Sequence, residues 1–221
     1  MKPPAEAVVV PGIRQRAQRS ACTRRLWKQL KKGATWFPIC YAICMTKLHV
    51  IVGDYQTFLD DLLRRVTNDG FDLSDFAQID HMCYRVTSLE DYAQKKNELS
   101  TVAQLIGETI VNRRPIATFR LNEPVIHDTW RIDAIELPAP KTGASFKEGL
   151  EHIEFVLFDD IPTFLQKYQG KPFEMRAADR GVNPEIGLRL GNLSVKFHLL
   201  ALPTVVYLEH KFGFDDIRDG Q

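Results

Sequence analysis

Between Tyr55 and Asn68 the apolar residues recur at helical spacing. Phe58, Leu59, Leu62, Leu63 and Val66 form one stripe, and Asp60, Asp61, Arg64 and Arg65 occupy the other side. This period predicts an amphipathic helix facing a core, with Gly70 placed to end it. Beyond it the pattern alternates between short periods and long ones. Ile79–Val86 reads as a strand and Ser88–Val102 as a helix, with Ser88 and Asp91 spaced as a capping pair. Leu105–Asn112, Ile116–Leu121 and Trp130–Leu137 read as strands, broken by Arg114-Pro115 and by a loop at Asn122–Pro124. Pro138, Pro140 and Gly143 mark a linker. Leu150–Phe158 then reads as a strand and Asp160–Tyr168 as a helix that tolerates Pro162 in its first turn. Weaker strand patterns follow at Phe173–Ala177, Leu188–Leu190 and Ser194–Leu200.

The order strand, helix, three strands therefore occurs twice, and residue identities repeat with it. Ile79-Asp80-His81-Met82-Cys83-Tyr84 aligns with Leu150-Glu151-His152-Ile153-Glu154-Phe155: apolar, acid, His, apolar, variable, aromatic. Ile135-Glu136-Leu137-Pro138 is echoed by Leu200-Ala201-Leu202-Pro203. The expected fold is α+β. Two βαβββ modules, about 72–140 and about 146–203, pair into a curved mixed sheet around a cleft, preceded by the first helix.

Charge divides the chain differently. The 221 residues carry a net charge of +1, but residues 1–44 hold nine bases and one acid, Glu6, while the remainder holds twenty bases and twenty-seven acids. A basic, acid-poor segment of +8 thus precedes a likewise distinct body of −7 that begins at about Met45. Residues 1–44 carry no clear period and read as a disordered extension. Three origins stay open: an organelle-targeting leader, a basic tail for anionic partners, or an upstream extension wrongly included in the reading frame. The balanced total argues against a nucleic-acid binder. No run reaches the roughly 18 apolar residues of a membrane span. Of four cysteines only Cys83 falls in the body, so no internal bridge forms there, and a reducing, cytoplasmic compartment is expected unless the leader redirects the chain.

Residues two apart in a strand share a face. His81 then sits beside Cys83 and Arg85, His152 beside Glu154, and Lys196 beside His198, with apolar neighbours on the opposite face. This is the pattern of a sheet whose inner surface is wet. His81, Glu136, His152 and His198 are the expected ligands of a divalent cation; imidazole and carboxylate suit zinc, manganese, nickel or iron alike. Arg85 is expected to hold an anionic substrate group, and Glu154 to orient a ligand or move a proton. His49, His127 and His210 fit no such set and are expected at the surface. No GxSxG elbow, Walker loop or dinucleotide fingerprint competes with this chemistry.

The runs Asp80–Arg85, Asn112–Ile116, Leu121–Val125, Glu136–Pro140, Glu151–Glu154 and Lys196–His198, in that order, resemble the YecM family over about Met45 to His210. One departure is Arg113, which stands where glycine is expected; another is a shorter stretch between Gly170 and Pro184. YecM-like proteins are similar to the vicinal-oxygen-chelate group of glyoxalases, extradiol dioxygenases and epimerases. The resemblance implies paired βαβββ modules and a divalent metal at His81 and His152, joined by Glu136 and His198. It supplies a scaffold, not a substrate. Two functions follow as expectations: a metal-dependent isomerase, lyase or oxygenase acting on a small oxygen-rich molecule, or a non-catalytic module that binds a metal or small ligand.

Overall fold

The computed structural model describes residues 46–111, 113–141, 143, 147–178 and 183–212. The basic segment and its three readings lie outside them. Two helices lead in. Helix α1 (Lys47–Val52) is capped by Thr46, whose hydroxyl accepts from the His49 N–H at 3.2 Å. Helix α2 (Tyr55–Asn68) is capped by Asp54, which accepts from Thr57 N at 3.1 Å. Its apolar stripe buries Leu59, Leu62 and Val66 completely. Each such side chain stabilises the fold by roughly 1.5–3 kcal/mol. Gly70 adopts φ +88°, a conformation that glycine reaches without cost, and turns the chain away.

Module one runs β1 (Phe76–Arg85), α3 (Leu89–Leu99), β2 (Ala103–Val111), β3 (Arg114–His127) and β4 (Trp130–Pro138). Module two runs β5 (Gly149–Leu157), α4 (Ile161–Lys167), β6 (Glu174–Ala177), β7 (Glu185–Leu190) and β8 (Leu193–His198), and helix α5 (Leu202–Phe212) follows. Together the strands make one curved, unclosed sheet of eight, ordered β2-β3-β4-β1-β5-β8-β7-β6. The order is symmetric about the central β1–β5 pair, so the sequence repeat is also a structural one. Within each module the first strand runs parallel to the last, β1 with β4 and β5 with β8, and the two first strands meet antiparallel.

One face of this sheet is dry. Met82, Ile135, Ile153, Phe155, Val195 and Phe197 are fully buried in a core continuous with α2. Aromatic rings concentrate where the start of β1 meets module two: Phe76 and Phe155 stack at 4.2 Å between centroids and Phe164 meets Phe197 at 5.0 Å. The other face carries the charged residues.

The sequence pattern is corrected at four places. The expected loop at Asn122–Pro124 is part of β3, which continues to His127 through a register shift between Arg120 and Val125. A bulge absorbs Pro124, which has no N–H to give a ladder. Helix α1 is too short to display a period. Helix α5 has one, with Leu202, Val205, Val206 and Glu209 buried on a single side, but Pro203 makes its start look like a turn; proline is at home in a first helical turn. Finally His127, expected at the surface, is buried at the end of β3, with Nδ1 2.6 Å from Gln56 and Nε2 3.2 Å from Asp60. Among the described residues no helix is long and apolar enough to cross a membrane.

Candidate metal centre

The antiparallel register places Cys83 opposite His152 and His81 opposite Glu154 on the two central strands. The parallel registers then bring Glu136 beside Cys83 and Lys196 beside Glu154. Neighbouring strands thus set these side chains on the charged face, around a cavity of about 210 Å³. His81, Glu136, His152 and Glu154 each offer one nitrogen or oxygen, and the four atoms lie within 4.8 Å of one another. The His81 and His152 rings are 6.5 Å apart between centroids.

Each histidine is aimed by the acid that precedes it. His81 Nδ1 lies 2.9 Å from Asp80 Oδ2, and His152 Nδ1 lies 3.1 Å from Glu151 Oε2. A carboxylate at Nδ1 fixes the tautomer and turns Nε2 toward the centre. For His81 this needs two consecutive residues to reach the same neighbourhood, which a regular strand forbids. The β1–β5 register shifts between Ile79 and His81, and the irregularity at Asp80 permits it. Asp80 is itself locked, since both of its oxygens accept from Leu202 N, at 2.9 and 3.0 Å, at the start of α5. The repeated acid–His pair thus has a structural meaning: an imidazole and its positioning carboxylate, twice.

Glu154 lies at the middle of the group. His81 Nε2, His152 Nε2 and His198 Nε2 are 3.4, 3.2 and 3.3 Å from its oxygens, and Lys196 Nζ is 2.7 Å away. Burial pushes its carboxyl pKa upward, but the Lys196 and His81 charges and the imidazole hydrogen bonds outweigh it and hold the group well below the usual carboxylate range. Reciprocally, burial lowers the imidazoles and the carboxylates overcome it. His81 is raised well above its ordinary value by Glu154 and Asp80, and His198 is pushed up to about 9 by the same two acids. His152 is also raised against burial, with the Cys83 sulfur and Glu151 beside it. Glu151 falls to about 2 despite partial burial, because His152 and Arg85 flank it. His81 Nε2 is buried, yet finds no hydrogen-bond partner among the described residues; Glu154 is near but out of alignment.

Of the six residues singled out in the sequence, all line this cavity: His81, Arg85, Glu136, His152, Glu154 and His198. Their grouping differs from the expected one. Glu154, assigned to proton transfer, sits in the four-donor set, whereas His198 groups with Asp80 and His81. The register explains it: Glu136 is opposite Cys83 as Lys196 is opposite Glu154, so the counterpart of Glu136 in module two is Lys196, and His198 lies two residues further on. Arg85 extends along the same wall and donates through Nε to Glu151. Sequence reasoning passed over Asp80 and Glu151 as positioning groups, although the repeat displayed both. It also passed over Arg114, read only as the partner of a strand-breaking proline.

With this geometry in view, the comparisons with known proteins are specific. The model of the family described as YecM protein matches residues 47–178. Protein YecM of Escherichia coli is 30% identical over 153 residues, which cover 68% of this chain and 73% of that protein. The chain belongs to the YecM family. A solved structure described as "Structural Genomics, Protein EC4020" covers 75% of this chain and 94% of its own, with a TM-score of 0.59 and 26% identity. A methylmalonyl-CoA epimerase from Mycobacterium tuberculosis is a fainter likeness, at a TM-score of 0.44 and 16% identity over 61% of this chain and 95% of its own. This YecM-family chain carries the paired βαβββ modules that its sequence repeat predicts. The family match ends before β7 and β8, the strands that carry Glu185, Lys196 and His198.

Proposed function

We propose that the cleft binds one divalent cation through His81, His152, Glu136 and Glu154, and acts as a metal-dependent enzyme on a small oxygen-rich molecule. The observation that carries this reading is the twice-built acid–imidazole pair, with both Nε2 atoms turned to a common point. The donor set fits such an ion. Ligands about 2.0–2.2 Å from a cation stand at most about 4.4 Å apart across it, and four donor atoms within 4.8 Å need to close by only a few tenths of an ångström. The buried Nε2 of His81, which makes no hydrogen bond among the described residues, becomes a ligand nitrogen when a cation displaces its proton. Two nitrogens with two oxygens suit zinc, manganese, nickel or iron. The bound ion would supply a Lewis acid that polarises an oxygen-bearing substrate.

The chain's own residues supply the rest. Asp80 and Glu151 hold the imidazoles in one tautomer. Glu154, kept anionic by Lys196, can accept a proton from a carbon or oxygen seated in the cleft and return it, an isomerisation-type exchange. Arg85 faces the anionic part of the substrate. Helix α5 contributes Leu202 and Val205 to the wall. A second reading, a module that binds a metal or small ligand without turnover, is favoured by one observation. The ammonium of Lys196 stands in the position related to Glu136 and already engages Glu154.

The test is elemental analysis of the purified full-length protein, then assay on α-hydroxycarbonyl compounds and catechols. One equivalent of metal with turnover that fails in Glu154→Gln supports the enzyme. Tight binding of these compounds without turnover supports the module. Absence of metal after reconstitution with each of the four ions overturns both metal readings.

A further inference from the structure

The cavity has a direction along its strands. Glu136 on β4 pairs with Cys83 on one side and with Thr118 on the other, and Ile116 pairs with Pro138. Arg85, two residues beyond Cys83, and Arg114, two residues before Ile116, therefore lie at the Pro138 end of the strands flanking β4. Both line the same cavity as the four donors. Two guanidinium groups at one end of a small metal-donor cleft demand an explanation, because like charges brought out of water destabilise the fold unless something negative joins them.

The two arginines are not equivalent. Arg85 donates through Nε to Glu151, a carboxylate already committed to His152, so much of its charge is balanced locally. Among the described residues Arg114 forms no ion pair or hydrogen bond with an acid. Its Nη1 donates to the Ala139 carbonyl at 3.0 Å, and its Nε is buried without a hydrogen-bond partner among the described residues. Burial and the neighbouring Arg85 both disfavour its charged form and outweigh the opposing pull of the Glu136 and Glu151 charges. An oxyanion delivered by a ligand would satisfy the orphaned donor and relieve the repulsion together; a planar guanidinium fork suits a carboxylate. The cavity of about 210 Å³ is smaller than pockets for drug-sized molecules, so the ligand has few carbon atoms.

We propose that Arg114, with Arg85 beside it, seats a carboxylate of the molecule whose other oxygens reach the donor set, making the substrate class a small oxo- or hydroxy-acid with a second, distal carboxylate. This rests on the metal reading for the chelated end and on the arginine pair alone for the distal end. Arg114 is the residue that selects for charge.

The test uses the full-length chain loaded with manganese and titrated with 2-oxoglutarate and with its distal amide, 2-oxoglutaramate, by calorimetry. The acid is expected to bind at least ten-fold more tightly than the amide. Arg114→Gln is expected to abolish that preference while keeping the metal content and the affinity for the amide; Arg114→Lys keeps the charge without the fork and should fall between. Equal wild-type affinities, or a preference that survives in Arg114→Gln, overturn the proposal. A protein that takes up no manganese overturns the metal reading instead. Succinate titrated into the metal-free chain then reads the arginine pair alone, and binding lost in Arg114→Gln supports the carboxylate seat. No succinate binding, binding unchanged in Arg114→Gln, or inorganic phosphate binding more tightly than succinate overturns it.

Discussion

Replacing Asp80 by Asn separates the positioning of His81 from its presence. The substitution keeps the shape of the side chain and removes its charge. Asp80 is almost fully buried and accepts from His81 Nδ1 at 2.9 Å and Leu202 N at 2.9 and 3.0 Å, with His198 Nε2 at 3.3 Å. An asparagine oxygen can serve one of these donors, but its amide group then faces donors with its own hydrogens. Hydrogen bonds to a buried charge contribute roughly 1.5–3 kcal/mol each, so a net loss of about 3 kcal/mol of stability is expected in urea unfolding of the metal-free protein. A positioning carboxylate typically contributes ten- to a hundred-fold in metal affinity. Calorimetric titration with zinc or manganese should therefore show a loss of about 1.4–2.7 kcal/mol in binding free energy. Glu151→Gln should cost less, because Glu151 is 30% exposed and water can replace part of its role. Asp133→Asn, a change at an exposed acid paired with Arg131, serves as the control and should leave both quantities within about 0.5 kcal/mol. A folded Asp80→Asn protein that binds metal as tightly as wild type would refute the reasoning.

Protons and metal compete for the same nitrogens. Because the folded imidazoles of His81, His152 and His198 are raised, the metal-free protein is stabilised below about pH 6.5, and that contribution is lost as the pH rises through the folded value, about 9 for His198. The metal-free unfolding midpoint should fall from pH 6.5 to 9 while metal affinity rises, and the binding enthalpy should depend on the buffer's ionisation heat; buffer-independent enthalpy would contradict it. Arg113 holds φ +63° where family resemblance expects glycine, so Arg113→Gly should stabilise by up to about 1 kcal/mol in chemical denaturation. A Cβ at Gly107 would come within 2.8 Å of Val206 Cγ1 on α5. Gly107→Ala should therefore destabilise by about 1–3 kcal/mol, and adding Val206→Ala should recover part of the loss; strictly additive losses would contradict that contact.

The repeat was legible because it rests on strand alternation and identical residues, and these fix which face each side chain takes. The strand and helix positions followed from the same periods, and α2 was readable from Tyr55 to Asn68 because five apolar residues fall on one stripe. What stayed hidden depends on register. No local pattern says that Cys83 stands opposite His152 and not opposite Glu154, nor that Lys196 stands beside Glu154 as Glu136 stands beside Cys83. The bulge at Asp80 is likewise a property of the paired strands. His127 looked like a surface residue because its partners, Gln56 and Asp60, are some seventy positions earlier on α2. Arg114 was obscured by Pro115, whose strand-breaking reputation does not apply at the start of β3.

X-ray absorption at the metal edge of the loaded, full-length protein addresses the central claim most directly. The expected spectrum has one metal per chain, two imidazoles at about 2.0–2.1 Å, oxygens completing the shell, and loss of one imidazole in His81→Ala and in His152→Ala. Cys83, Glu151 and His152 form a rival donor group on the same strands. A sulfur at about 2.3 Å, or a shell unchanged by His81→Ala, would place the ion there and contradict the account.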